Sequence, residues 1–246
     1  MVTTVSIEAQ LEAMAAALRK HSEDLEIVIK SEHLDQMLEY ARHVLMTNKT
    51  MNLTRIQSPE EFAIKHILDS LVCLRAGIPA GRGIDIGTGA GFPGIPLRIL
   101  GVKPILLVDS LAKRVAFLNE TIASLRLSDV VAIHGRAEEL GRDPGYRGLF
   151  QWAVARAVAP LPVLLEYASP FVAVGGMVLC MKGSDANEEI EQAGRAVARL
   201  ALTERNRIYV RLPLEMGQRC LIIYEKTGRT PQEFPRRPGV PTKRPL

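Results

Sequence analysis

The sequence predicts an α/β chain: a mostly parallel seven-stranded sheet with helices on both faces, an antiparallel edge strand and an N-terminal helical extension. Three observations carry that prediction. Beyond residue 82, five short apolar runs alternate with segments of helical length. Near the end, two β-rich runs are separated by too few residues for a crossover helix. Before residue 79, apolar residues recur only at helical spacing.

Ile7 to Lys20 is rich in Ala, Glu and Leu, and Ser31 to Asn48 sets Leu34, Leu38, Ala41 and Leu45 on one helical face. A third helix starts at Ser58, placed to cap it, with Pro59 in the first turn and Glu61 completing a capping box. The pattern carries it to about Leu74. Strands are predicted at Gly83 to Ile86, Pro104 to Val108, Val130 to His134, Gln151 to Ala155 and Gly176 to Met181. Helices are predicted between them at Gly94 to Leu100, Ser110 to Leu125, Leu161 to Ser169 and Asp185 to Leu200. Short strands joined by helical crossovers imply a parallel sheet covered on both faces. Arg207 to Leu212 and Arg219 to Tyr224 then pair antiparallel at one edge. The final segment, with Pro231, Pro235, Pro238, Pro241 and Pro245, is predicted to be extended. The chain thus divides into a helical extension (1–78), a ligand-binding domain (79–226) and a basic Pro-rich tail (227–246).

Composition narrows the classes. Hydrophobic residues at 47% and charged residues at 24% fit a folded globular chain. Pro162, Glu166, Pro170 and Gly175-Gly176 interrupt the longest apolar stretch, so no membrane span is expected. The N-terminus lacks a basic signal-like region, and Glu8 and Glu12 stand where such a segment would be apolar, which predicts a cytoplasmic protein. Cys73, Cys180 and Cys220 are far apart and form no CxxC, so neither a disulfide framework nor a metal site is expected. Net charge is +4, and the same surplus of +4 lies in residues 225–246, while residues 1–40 carry −5. A polyanion would be drawn to one end and repelled from the other.

The most informative segment is Asp85-Ile86-Gly87-Thr88-Gly89-Ala90-Gly91-Phe92-Pro93-Gly94, where a strand enters a loop with four glycines and then a helix. Such a loop lets backbone approach a ligand closely. Gly89, Gly91 and Gly94 match a dinucleotide fingerprint, and Asp109 at the end of the next strand suits ribose hydroxyls. Two features favour S-adenosylmethionine over a dinucleotide. Asp85 can meet the ammonium of the methionine moiety but would repel a pyrophosphate. The antiparallel pair matches the Rossmann-like class I methyltransferase fold. Ligands lie at the carboxyl ends of parallel strands, which places Ala137 and Glu138 beside the adenine and Arg156 at the reaction centre.

What is missing at the fourth strand end also informs. Amine methylators usually carry an Asn/Asp-Pro-Pro-aromatic tetrad there, and cytosine C5 methylators need a thiolate. Here stand Arg156 and small apolar residues. An acceptor that already exposes a lone pair, such as guanine N7, needs neither base nor covalent step. Candidate RNA contacts are Arg55, Lys65, Lys113, Arg114, Arg136, Arg236 and Arg237. Lys182, at the fifth strand end, joins Arg156 as a candidate catalytic cation.

Asn52-Leu53-Thr54, His66-Ile67-Leu68-Asp69-Ser70-Leu71 and the Asp85 to Leu97 run closely resemble the RsmG (GidB) family. So do Val108 to Arg114, Gly135-Arg136-Ala137-Glu138, Ala155 to Ala159, Met181-Lys182-Gly183 and Pro235-Arg236-Arg237-Pro238-Gly239, over residues 34–246. The resemblance implies a methyltransferase acting on guanine N7 of bacterial 16S ribosomal RNA, with S-adenosylmethionine and no metal. It implies cofactor contacts at Gly87, Phe92, Ala137, Glu138 and Arg156, to which the loop reading adds Gly89 and Asp109. It also implies that the helical stretch with Asn52 to Thr54 and His66 to Ser70 covers the active site, although helix capping and packing explain His66 and Asp69 equally well. Residues 1–30 fall outside the likeness, and Ala155 replaces the Ser of many relatives.

The expected partner is 16S ribosomal RNA or the small-subunit particle, bound by a monomer. A nucleotide-binding oxidoreductase would retain NAD instead, an RNA-binding assembly factor of this fold would bind RNA without methyl transfer, and a small-molecule methyltransferase would ignore RNA.

Overall fold

The computed structural model describes residues 6–184 and 186–246. Helix α1 (Ile7–Asp24) starts where the Ser6 hydroxyl accepts the Ala9 N–H, and α2 (Ser31–Met51) ends at left-handed Asn52. The third helical stretch is continuous but not uniform. It begins as α3 (Pro59–Phe62), widens into a π-helical stretch at Ala63–Leu68, and runs through α4 (Asp69–Leu71) into a 3₁₀ turn at Val72–Ala76. Half of the expected capping box forms. The Ser58 hydroxyl accepts the Glu61 N–H at 3.4 Å, whereas the Glu61 carboxylate pairs with Lys65 at 2.6 Å.

The strands are β1 (Gly83–Ile86), β2 (Ile105–Asp109), β3 (Val130–His134), β4 (Phe150–Arg156), β5 (Val172–Lys182), β6 (Leu202–Arg211) and β7 (Gln218–Lys226). They form one sheet in the order β3-β2-β1-β4-β5-β7-β6. The first five are mutually parallel, and β7 lies antiparallel between β5 and β6. The predicted seven-stranded sheet is present, with longer late strands. The fifth strand, predicted from Gly176, begins at Val172 and contains an irregularity, where the pairing with β4 slips between Phe150/Val172 and Trp152/Met177. Gly175 takes φ +84°, which suits a bulge.

Helices α5 (Gly94–Ile99), α6 (Ala112–Ser124), α7 (Ala137–Leu140) and α8 (Leu161–Ala168) fill the crossovers. The segment predicted from Asp185 to Leu200 is two helices, α9 (Ala186–Gln192) and α10 (Gly194–Arg199), with Asp185 outside the described residues. The core has two halves. One joins α1, α2 and the third helical stretch to α5, α6 and one face of the sheet, so the extension shares a core with the domain. The other packs α8, α9 and α10 on the opposite face.

The tail departs from the extended chain the sequence predicts. It ends in a short helix, α11 (Val240–Lys243), and is fastened down. The Arg147 guanidinium donates to Thr230 O, Pro231 O and Phe234 O, and Arg142 donates to Glu233 O and Pro235 O. Phe234 is buried beneath the Arg199 guanidinium. Among the described residues no helix is long and apolar enough to cross a membrane.

Candidate functional site

Strand order reverses between β1 and β4, so a crevice opens at their carboxyl ends. The glycine loop fills its floor. Gly87 takes φ +67°, and a Cβ there would meet Val158 at 2.7 Å. A Cβ on Gly94 would meet Leu107 at 2.3 Å, so only glycine lets the start of α5 close on the sheet. Asp85 is fully buried beneath this loop. Its Oδ2 accepts the Thr88 hydroxyl at 2.6 Å and the Gly94 N–H at 2.8 Å, while Oδ1 has no partner. Burial pushes its pKa up to about 6, against the pull of those two hydrogen bonds and of Arg156. Asp109 accepts the Gly89 N–H at 2.9 Å and the Leu111 N–H at 2.9 Å, with Arg114 at 3.4 Å. Oδ2 takes two of these donors and Oδ1 only one, so Oδ1 keeps a lone pair for a ribose hydroxyl.

Gly87, Asp109, Ala137, Glu138, Val158 and Tyr167 line a cavity of about 100 Å³ at these strand ends. Ligand sites commonly enclose about 300–1,000 Å³, so an adenosyl cofactor requires this one to widen. A larger groove of about 520 Å³ lies between α1 and α2, away from the strand ends. Chemistry, not volume, locates the site. An unpaired carboxylate oxygen suits an ammonium, a positive-φ glycine admits close backbone approach, and the second carboxylate suits hydroxyls. These residues fit S-adenosylmethionine. Among the described residues no group of three or more His, Cys, Asp or Glu is placed to hold a metal ion.

At the β4 end, Arg156 turns toward the helical extension. Its guanidinium donates to Asp69 Oδ2 at 3.0 Å and to Lys65 O at 3.1 Å, and lies 5.2 Å over the Phe92 ring. Asp69 is buried, and its Oδ1 accepts from Arg219 at 2.8 Å. Two guanidiniums thus share one carboxylate. His66 stacks on Phe92 with centroids 4.6 Å apart and bonds Thr54 Oγ1 at 2.6 Å. Burial, then Arg156, lowers its pKa to about 3, so the ring is neutral. Arginine offers no lone pair, so the tautomer that suits Arg156 at 3.5 Å from Nδ1 carries its proton on Nε2. His66 and Asp69 therefore act as more than helix caps. Arg219 lacked any local signal; it lies on β7, 150 positions from Asp69 in the chain.

The predicted residues fall into two groups. Gly87, Asp109, Ala137 and Glu138 meet around one cavity, and Gly89 supports it through Asp109. The Phe92 side chain does not line that cavity; it is buried among Tyr40, Phe62 and His66. Lys182 is not a free catalytic cation: it is buried, donating to Ala159 O at 2.6 Å and paired with Glu189 at 2.7 Å. Arg236 is not a surface RNA contact either. It clamps the fully buried Glu166 carboxylate with both Nε and Nη2, because a buried charge requires a partner. Arg136 is held by Glu138, Arg114 by Asp109 and Lys65 by Glu61, whereas Arg55, Lys113 and Arg237 are exposed without side-chain partners among the described residues. Burial pushes the Cys180 thiol up to about 12 and also raises Cys73 and Cys220, which makes none of them a ready thiolate.

Residues 33–210 match the sequence model of a family described as GidB, rRNA small subunit methyltransferase G. The chain is 43% identical over 240 residues to the ribosomal RNA small subunit methyltransferase G of Pelotomaculum thermopropionicum, covering 96% of this chain and 100% of that protein. It is 44% identical over 223 residues to the protein of that name from Desulfitobacterium hafniense, covering 90% and 93%. Among solved structures it resembles a ribosomal protein L11 methylase from Lactobacillus delbrueckii subsp. bulgaricus, with TM-score 0.51 and 19% identity over 70% of this chain and 81% of that one. It also resembles a geranyl diphosphate C-methyltransferase from Streptomyces coelicolor A3(2), with TM-score 0.52 and 15% identity over 71% and 86%. These two structural likenesses concern the fold.

Proposed function

This chain belongs to the GidB family of rRNA small subunit methyltransferases G, and from that premise we propose that it methylates N7 of a guanine in 16S ribosomal RNA. The methyl donor is S-adenosylmethionine, which when bound supplies an electrophilic methyl group on a sulfonium. Asp85 holds the donor's ammonium with its free Oδ1, Asp109 takes the ribose hydroxyls, and the Gly87 turn gives the backbone close approach. Ala137 and Glu138 flank the adenine. Arg156 faces the guanine O6 or a neighbouring phosphate rather than N7, because the methylated ring becomes cationic.

The observation that carries the N7 reading is the tip of β4, where Arg156 is followed by Ala157, Val158 and Ala159, and no carboxylate or thiolate stands among them. Direct displacement at an exposed lone pair then rests on alignment. Arg55, Lys113 and Arg237 supply phosphate contacts, and the reading takes the chain as a cytoplasmic monomer acting on the RNA or the small-subunit particle. The test is methyl transfer from labelled S-adenosylmethionine to 16S RNA and to small subunits, followed by nucleoside mapping. 7-Methylguanosine at one position is the expected product; label at another base atom or none in RNA overturns the reading. The NAD-dependent alternative is not favoured, since an unpaired carboxylate beneath the loop would repel a pyrophosphate.

A further inference from the structure

The tail reaches back to the cofactor cavity, and two of its residues hold two of that cavity's walls. Glu138 is, with Asp109, one of two buried acids of the cavity, and its Oε1 accepts the Gly239 N–H at 3.0 Å as well as Arg136 at 3.1 Å. Tyr167 lines the same cavity, and its hydroxyl bonds Thr242 Oγ1 at 3.0 Å. Gly239 takes φ +78°, which presents its N–H at the start of α11, and Arg236 three residues earlier is fixed on Glu166. The segment that makes these contacts lies beyond residue 210, where the family's sequence model ends, although the likeness to the named relatives covers most of the chain.

We infer that the C-terminal tail is a working part of the cofactor site, with Gly239 as a positioning residue that sets the Glu138 carboxylate and Thr242 as one that sets Tyr167. The inference rests on the proposed cofactor site. Both donors meet the same oxygen, so the second, on a separately anchored segment, fixes where Oε1 sits instead of leaving it on Arg136 alone. The hydrogen bonds from Gly239 and Arg136, with that from its own backbone, hold the Glu138 carboxyl below the usual carboxylate range despite burial, so it stays an acceptor. Fixing it before the ligand arrives removes an ordering cost from binding. Cofactor affinity therefore depends on a segment far from the glycine loop in sequence.

Calorimetry with S-adenosylhomocysteine on the full chain tests this, using Gly239→Pro, Glu138→Ala and the double variant. Proline has no N–H and cannot take a positive φ, so Gly239→Pro removes the contact while leaving the Arg236 and Arg147 anchors. A hydrogen bond to a charged group predicts a Kd about tenfold weaker for Gly239→Pro. The double variant is expected to bind no more weakly than Glu138→Ala alone. In turnover, KM for S-adenosylmethionine rises while kcat at saturating donor is preserved, which separates positioning from general loosening. Thr242→Val, which keeps the backbone, is expected to weaken binding by about threefold and serves if Gly239→Pro misfolds. Wild-type affinity in both tail variants, or losses that multiply in the double variant, overturns the inference and leaves the cofactor site standing. Absence of binding by the wild type overturns the cofactor site itself.

Discussion

Two arginine–carboxylate pairs, Arg156–Asp69 and Arg236–Glu166, look alike in sequence and differ in what surrounds them. Glu166 is fully buried on α8, and Arg236 closes on both its oxygens, so the pair is charge-balanced and shut. Asp69 is as deeply placed but serves two cations, Arg156 and Arg219, at the carboxyl edge of the sheet. One positive charge is left over, beside the tip where a phosphate or carbonyl oxygen would arrive. A matched pair fixes a segment; a mismatched one leaves a field that can act on a ligand.

The largest effect expected from breaking this contrast is on stability. Arg236→Ala strands the buried Glu166 carboxylate and should cost about 3–5 kcal/mol in denaturant unfolding. Methyl transfer at saturating donor should hold within about twofold for the folded fraction, since uniform weakening affects population rather than alignment. Arg156→Ala is the reciprocal case. Asp69 keeps Arg219, so the melting temperature should move little, while kcat should fall by about 10²–10³-fold in single-turnover methyl transfer. Equal melting losses in both variants would erase the distinction.

The third test uses pH. Asp85 titrates at about 6 and must be ionised to hold an ammonium. Its pKa is raised, so protonation is favoured below that value and competes with the ligand; S-adenosylhomocysteine affinity should weaken by about fivefold from pH 6 to pH 5. Asp85→Asn should remove that dependence, read by calorimetry across the range. The smallest effect is at Lys113, exposed and unpaired among the described residues. Lys113→Ala should lower the salt slope of RNA binding by about 1 and leave methyl transfer at saturating RNA unchanged. A comparable slope change in Arg236→Ala would return that residue to the RNA surface.

Elements bounded by strong punctuation were legible. β1 and β3 begin and end where the sequence places them, since glycine, proline and polar residues flank their apolar runs. The longer β6 was not legible before Arg207, because its outward residues are polar and only pairing with β7 makes Leu202 to Asn206 a strand. The glycine loop, Asp85 and Asp109 carried their meaning in the chain. Lys182 and Arg236 did not: each is a basic residue with good motif context, and each is neutralised by a partner on another element. Arg219 was missed for the same reason in reverse.

Sequence alone determined the parallel sheet, the turn at the first strand's tip and the class of ligand that turn admits. Those depend on backbone sterics and on apolar spacing, which act over a few neighbouring residues. Tertiary structure decided which cations remain free, which carboxylate keeps an unpaired oxygen, and that the tail closes on Glu138. Such outcomes depend on distances between groups far apart in the chain, and a buried charge takes its partner from whatever the fold brings within reach.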